Sequence, residues 1–203
     1  MDLNQIFDLR HSIRDYKDKD VHYDLIGELI DAAHKAPSSG NVQNWRFIIV
    51  KNKIKRNSIA TASLKQYWMN QSPVHIVVCY DELNIKELYP KLHEEFSLLN
   101  IALATSNILL KATELGLGTC IVAVFDKNAI SKILKLPSNV SPVMIITVGY
   151  PSGKHKITKR FDIEHFIYFE EYGYSSRKRD STIFPLQKQV RKISEKINKK
   201  IKK

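Results

Sequence analysis

Two arginines and a serine lie close together near the start of the chain, in the sequence RHSIR at 10–14. In an extended segment, residues 10, 12 and 14 lie on one side, and in a helix residues 10 and 14 share a face. Because a guanidinium group binds phosphate through two hydrogen bonds, Arg10, Ser12 and Arg14 predict a monophosphate or anion site. The alternative is a solvated arginine pair that forms surface ion pairs with Asp15 or Asp18.

A polar loop, PSSGNVQN at 37–44, lies between an apolar helical pattern and an apolar strand pattern. Such a loop places hydrogen-bonding groups at a rigid edge, which suits recognition of a flat polar ring. The alternative is ordinary turn chemistry, since Pro, Ser, Gly and Asn are the usual residues of a link between a helix and a strand.

Two glycines in LGLGTC at 115–120 follow a helical pattern and precede a strand pattern, the reverse of the order in a dinucleotide-binding fingerprint. They either let the backbone approach a ligand closely or end the helix, and the helix cap is the favoured interpretation. Lys156, Lys159 and Arg160 follow the turn at 149–151, and they either complete an anion site or are loop charges.

The sequence contains no Walker A, HExxH, GxSxG or paired-carboxylate motif, and no ligand spacing that predicts a metal. Only two cysteines occur, without a CxxC pair, which favours a reduced, cytoplasmic protein. Cys120 has no identifiable partner histidine, so it is interpreted as a small core residue. The N-terminus lacks the pattern of a secretory signal, and no apolar run approaches the length of a membrane span.

Apolar periodicity predicts the elements that position these residues. Helices are expected at 2–9, 24–36, 52–66, 96–115 and 127–134, and strands at 45–50, 74–80, 119–125 and 143–148. Residues 81–95 are polar, and their pattern predicts an irregular segment. The elements alternate, but they are too few for a doubly wound parallel sheet, so the predicted fold class is α+β.

The helix predicted at 96–115 is apolar on almost all sides. A helix without a polar face is buried on several sides. In a chain of 203 residues, this pattern predicts that a second subunit covers part of the helix.

The net charge of +11 is concentrated at the C-terminus. Residues 173–203 hold eleven Lys or Arg and two acids, whereas residues 1–172 are almost neutral. This extension also carries one apolar stripe at helical spacing, formed by Leu186, Val190, Ile193, Ile197 and Ile201. The favoured interpretation is a helix docked on the body or on a partner subunit, and contact with nucleic acid or a membrane surface is the less favoured alternative. The predicted division is therefore 1–172 and 173–203.

Taken in order, these pieces resemble the FMN-dependent nitroreductase family. The resemblance is carried by RHSIR at 10–14, APSSGNVQNWRF at 36–47, QYWMNQSPVHIVVCYD at 66–81, NIALATSNILLKATELGLGTC at 100–120, VGYP at 148–151 and KITKRFDIEHFIYFE at 156–170. It covers about 170 residues, essentially everything but the tail. It implies a mixed, mainly antiparallel sheet flanked by helices, in a homodimer that interlocks along the long central helix and forms two FMN sites.

The resemblance also implies a role for each site residue. Arg10 and Ser12 hold the FMN phosphate and ribityl chain, with His11 in the same set, and Arg14 approaches the N1/O2 end of the isoalloxazine ring. The remaining set comprises Pro37, Ser38 and Ser39 from the partner subunit, Asn41 and Gln66 at the ring or ribityl chain, Leu117 and Gly118 near N5, and Lys156 and Arg160 at the phosphate.

The implied activity is hydride transfer from NADH or NADPH to flavin N5, and then to a nitroaromatic, quinone or related electrophilic acceptor. One alternative is an FMN-binding protein with specialised flavin or dehalogenation chemistry and little NAD(P)H turnover. Another is a scaffold whose basic tail binds nucleic acid or membrane. Two positions depart from the family pattern: Asn44 stands where a proline is usual, and Asn100 where an acid is common.

Overall fold

Secondary structure in the computed structural model follows the apolar pattern of the sequence closely, and the structure describes residues 1–153 and 158–173. The helices are α1 (Leu3–Leu9), α2 (Tyr23–His34), α3 (Lys53–Ala62), α4 (Leu83–Leu88), α5 (His93–Glu114) and α6 (Lys127–Leu134). The strands are β1 (Trp45–Val50), β2 (Val74–Asp81), β3 (Gly118–Val122) and β4 (Val140–Gly149). Short 3-10 turns occupy Ser39–Asn41, Tyr67–Gln71 and Ile163–His165.

The four strands form one antiparallel sheet in the order β1-β2-β4-β3. Because side chains alternate along a strand, β2 sends Ile76 and Val78 to one face and Val77 and Cys79 to the other. Helices α2 and α5 pack on the first face, and α3 and α6 on the second. The α+β class and the mainly antiparallel sheet predicted from the sequence are confirmed.

Local signals at the helix ends explain several boundaries. Asp2 and Gln5 form a reciprocal capping box at the start of α1, and the Asp126 side chain accepts a hydrogen bond from the backbone of Ala129 in α6. The expectation of an irregular segment at 81–95 is wrong, because α4 forms there around the buried Ile85. In so short a helix, tertiary packing of one apolar residue outweighs a polar local pattern.

Helix α5 is the central element of the fold. Its inner face lies in the core, with Ile101, Ala104 and Ile108 fully buried. By length and composition alone, α5 is long and apolar enough to cross a membrane, whereas the sequence predicts no membrane span. Its contacts with α2 and all four strands account for its apolar inner face, whereas Leu98, Leu99 and Leu103 on its outer face are exposed.

The chain divides into two units, Met1–Ile157 and Thr158–Lys203. In the second unit, the described residues 158–173 hold the exposed side chains of Phe161 and Phe166, whose rings meet edge to face with centroids 6.5 Å apart. The predicted boundary at 172/173 stays a prediction, and the predicted tail helix lies outside the described residues.

Candidate functional site

The arginine-bearing segment at 10–14 runs beside β3 and joins it through one isolated β-bridge. Ser12 pairs with Thr119 in a parallel bridge, and the Ile13 N–H donates to the Thr119 carbonyl at 2.8 Å. Ile13 is 2% exposed, whereas Ser12 and Arg14 on either side of it are exposed. The alternation of an extended segment therefore leaves the polar residues on the side away from the core.

The two glycines of the 115–120 segment have different roles. Gly116, with φ +71°, ends α5 in the left-handed conformation, and the Leu117 N–H donates to the Ala112 carbonyl at 2.8 Å as in a Schellman cap. Gly118 instead lies against Ile13, whose Cγ1 would be 2.7 Å from a Cβ at this position. The helix-cap interpretation is therefore correct for Gly116. Gly118 makes a close approach to the Ile13 side chain, and an approach to a ligand stays a prediction.

Tyr16 holds the same segment from the side that faces the core. Its buried hydroxyl donates to the Ile13 carbonyl at 2.7 Å and lies 2.7 Å from Thr147 Oγ1 on β4. Burial raises the pKa of Tyr16 well above its usual range, so the hydroxyl keeps its proton. The Lys17 N–H then donates to the Tyr150 carbonyl at 2.9 Å, which continues the segment toward the end of β4.

Arg14 extends toward the turn that follows α3. Its guanidinium carbon lies 5.7 Å from the ring centroid of Trp68, a cation–π contact. Gln66, at the start of that turn, is half-buried. Within residues 1–153 and 158–173, no ion pair involves Arg10 or Arg14, so the proposed surface pairs with Asp15 or Asp18 do not form there.

Cys120 lies beside this cluster on β3. Its side chain is buried, and burial raises the pKa of the thiol, although the nearby Arg14 and Ser12 lower it. A neutral, buried thiol is a poor nucleophile. This environment agrees with the interpretation of Cys120 as a small core residue.

The polar loop at 37–44 is attached elsewhere, to the central helix. The Ser39 N–H donates to Asn100 Oδ1 at 2.9 Å, and Ser39 Oγ donates to the same oxygen at 3.2 Å. Beside the loop lies a pocket of about 490 Å³, lined by Pro37, Ser38, Ser39, Leu99, Asn100, Ala102 and Leu103.

The structure therefore brings part of the predicted site together within one chain. Arg10, His11, Ser12 and Arg14 lie next to the start of β3, which holds Gly118, with Leu117 buried just before it. Pro37, Ser38, Ser39 and Asn41 form a second group against α5. Arg160 is exposed in the second unit, and Lys156 lies outside the described residues.

Sequence reasoning gave no role to four residues that organise these groups: Tyr16, Trp68, Asn44 and Asn100. The two asparagines were visible only as departures from the family pattern. Tyr16 and Trp68 lie inside or beside the quoted motifs, but their partners come from distant parts of the chain.

The chain has an α+β fold with a long central helix, a four-stranded antiparallel sheet and an edge segment that carries two arginines. These features together define the class to which the protein belongs. The nitroreductase family model matches residues 9–67 and 58–150. A protein of Methanothermobacter thermautotrophicus named "Putative NADH dehydrogenase/NAD(P)H nitroreductase" is 31% identical over 176 residues, covering 85% of this chain and 88% of its own length.

Two further proteins are similar over most of the chain. The FMN reductase [NAD(P)H] of Bacillus subtilis is 29% identical, and the match covers 79% of this chain and 70% of the length of the reductase. The solved structure of the NADPH:FMN oxidoreductase of Vibrio harveyi complexed with NAD+ has a TM-score of 0.77 at 19% identity, covering 84% of this chain and 77% of its own, and supports the fold. This chain belongs to the nitroreductase family, as the motifs predicted.

Proposed function

We propose that this chain transfers a hydride from NADH or NADPH, by way of bound FMN, to a nitroaromatic, a quinone or a related electrophilic acceptor. The observation that carries the proposal is the pairing of the 10–14 segment with β3, which leaves Ser12 and Arg14 exposed beside Gly118.

The broader assignment follows from the family. The chain is an NAD(P)H-dependent oxidoreductase that uses FMN, in line with its family and with relatives named as nitroreductase and FMN reductase. When bound, FMN supplies the hydride relay between the nicotinamide and the acceptor. The acceptor itself and the ping-pong order of the reaction are part of the proposal.

The donor set of the 10–14 segment fits this cofactor. Arg10 and Arg14 have no carboxylate partner among the described residues, and Ser12 adds an exposed hydroxyl. Two guanidinium groups and a hydroxyl suit an anionic phosphate and a polyhydroxyl chain. In this proposal, Arg10 and Ser12 hold the phosphate and ribityl chain, and Arg14 stabilises negative charge at N1/O2 of the reduced ring.

The remaining residues complete the proposed site. Leu117 and Gly118 line the ring near N5, and Asn41 and Gln66 contact the ring or the ribityl chain. Lys156 and Arg160 are proposed at the phosphate.

A homodimer is the proposed working form, with Pro37, Ser38 and Ser39 contributed to the partner's FMN. The outer face of α5 exposes Leu98, Leu99 and Leu103 by 47%, 57% and 45%. Neighbouring α1 exposes Leu3 and Phe7 by 59% and 54%. Exposed apolar side chains on two helices in contact are typical of a protein–protein interface.

The test is a visible absorbance spectrum of the purified protein, before and after anaerobic addition of NADH and then NADPH. A flavin band that bleaches supports the reductase and shows which nucleotide is preferred. A band that persists favours a protein with specialised flavin or dehalogenation chemistry. A protein that takes up no FMN contradicts the proposal and turns attention to the basic tail.

Arg10→Ala tests the site within that experiment. Losing one charge-assisted phosphate contact is expected to weaken FMN binding by about 10- to 100-fold. The measurement is a titration of apoprotein with FMN, followed by flavin fluorescence. Unchanged affinity would contradict the assignment of Arg10 to the phosphate.

A further inference from the structure

The backbone of the polar loop at 37–44 adopts a conformation that its own sequence does not favour. Gly40, Asn41 and Gln43 all lie in the left-handed region, with φ of 57°, 55° and 49°. Non-glycine residues are uncommon in this region, and the conformation persists where surrounding contacts fix it.

Those contacts come from a buried pair of amides. Asn100, on α5, is 1% exposed, and Asn44, at the end of the loop, is 3% exposed. Asn100 Nδ2 donates to Asn44 Oδ1 at 3.0 Å, while Asn100 Oδ1 accepts the two hydrogen bonds from Ser39. The pair thus joins both ends of the loop to one helix.

The orientation of both amides is set by groups around them. Asn44 Nδ2 donates to Ser97 Oγ at 2.8 Å and to the Asp81 carbonyl at 3.2 Å. A backbone carbonyl only accepts and a backbone N–H only donates, so Asp81 and Ser39 each permit a single amide orientation. A buried network in which every member is satisfied holds one geometry firmly.

Tyr89 contacts the loop at Gly40. A Cβ at Gly40 would lie 3.0 Å from Tyr89 Oη, and the Tyr89 ring stacks edge to face on Phe96 of α5 with centroids 4.8 Å apart. The loop is therefore held to α5 through side chains on more than one element.

We infer that Asn100 and Asn44 are positioning residues for FMN: together they pre-organise the polar loop at 37–44, whose residues Pro37, Ser38 and Ser39 the proposed dimer presents to the partner's cofactor. The inference rests on the proposed function. Without the amide pair, the loop would become ordered only when FMN binds. The entropy cost of that ordering would lower the affinity for FMN. The two asparagines act as one coupled feature, since the donor at Asn100 needs the acceptor at Asn44.

The main test compares Asn100→Leu with a matched control on the same helix, Asn107→Leu. Asn107 Nδ2 donates to the Ala32 carbonyl at 3.0 Å, so the control also loses an amide bond from α5, but to α2 rather than to the loop. FMN affinity of the full-length apoprotein, visible circular dichroism of the bound flavin and the thermal midpoint are measured. We expect Asn100→Leu to weaken FMN binding at least about tenfold and to change the dichroism, and Asn107→Leu to leave both within about twofold.

A second variant, Asn44→Ala, keeps the test decisive if Asn100→Leu fails to fold. It removes the acceptor for Asn100 Nδ2 without changing the loop residues proposed to touch FMN, and a loss of about three- to tenfold is expected. Because the two residues act as a pair, the double variant should bind FMN no worse than Asn100→Leu alone.

Two results would overturn the inference and are distinguishable. If the wild type binds FMN and both Asn100→Leu and Asn44→Ala keep its affinity and dichroism while lowering the thermal midpoint, the pair serves the fold alone. If the wild type binds no FMN, the proposed function fails and the inference fails with it.

Discussion

The two groups of candidate site residues are held in opposite ways. The 10–14 segment is fixed by main-chain pairing with β3, through Thr119, and the side chains of Ser12 and Arg14 stay exposed. The 38–44 loop is fixed mainly by side chains, and Ser39 uses both its N–H and its hydroxyl to bind Asn100. Main-chain pairing tolerates many side chains, whereas an amide network depends on particular ones.

This contrast predicts different weak points. The segment depends on a close backbone approach at Gly118, on the buried Tyr16 hydroxyl, and on the turn that carries Trp68. The loop depends on left-handed residues and on its attachment to α5.

Gly118→Ala should have the largest effect. The added Cβ would lie within 3 Å of three atoms of Ile13, which is buried and branched at Cβ and has little room to move. We expect unfolding free energy to fall by about 3 kcal/mol, and FMN affinity to fall as the 10–14 segment shifts. Urea unfolding and FMN titration measure the two effects.

Gly27→Ala is the control for this change. Gly27 lies inside α2 with nothing within 4 Å of the added Cβ, so the variant should gain about 0.5–1 kcal/mol from helix propensity. A Gly118→Ala protein with wild-type stability and FMN affinity would contradict the close approach of the segment to β3.

Low pH should destabilise the part of the fold that supports the 10–14 segment, because His75 becomes protonated. This fully buried residue on β2 contacts the Met69 carbonyl of the Trp68 turn through Nε2 at 2.9 Å, and burial lowers its pKa to about 4. The unfolded chain, with a pKa near 6.5, takes up the proton first. The contribution of neutral His75 to the free energy of unfolding is therefore fully present above pH 6.5. It is lost as pH falls toward 4, and the free energy of unfolding is lower by about 2 kcal/mol at pH 5.

His75→Gln separates this titration from general acid effects. Glutamine keeps a donor for the Met69 carbonyl but does not titrate, so urea unfolding of the variant should depend less on pH between 7 and 5. An equal pH slope in both proteins would show that another group causes the acid sensitivity.

Tyr16→Phe removes the hydroxyl under the segment but keeps the ring that packs on Gly149. The Ile13 carbonyl loses its donor, so we expect a loss of about 1–2 kcal/mol in urea unfolding and a smaller loss of FMN affinity than in Arg10→Ala. Tyr23→Phe, at an exposed tyrosine, should stay within about 0.5 kcal/mol of the wild type. Equal stability of the two variants would exclude an anchoring role for Tyr16.

Much of the fold was predictable because it is recorded in local periodicity. The bounds of β1 and α6 match the pattern residue for residue, and the all-apolar character of the central helix predicted its place in the core. The 10–14 cluster was predictable for a similar reason, since residue type and spacing are local properties.

The supports of the site were not predictable from such patterns. Asn100 and Asn44 are 56 residues apart, and Arg14 and Trp68 meet only because β3, α3 and their turns place them together. Neither pairing has a local signal. The α4 helix was missed because its formation depends on burial of Ile85, which composition does not reveal.

Gly40→Ala should have the smallest effect, and it changes the polar loop at 37–44 without changing a residue of the 10–14 segment. At φ 57° the left-handed conformation costs an alanine about 1 kcal/mol, and the new Cβ would lie 3.0 Å from Tyr89 Oη, the far end of a side chain that can shift. Gly153→Ala, with φ +72° and no atom of the described residues within 4 Å of the added Cβ, carries the same conformational cost but lies outside the polar loop at 37–44. Since Gly40 adjoins the residues proposed to touch the partner's FMN, only Gly40→Ala should also lower FMN affinity, by a few-fold. Equal stability loss and unchanged affinity in both variants would mean that the loop's geometry does not matter to the cofactor.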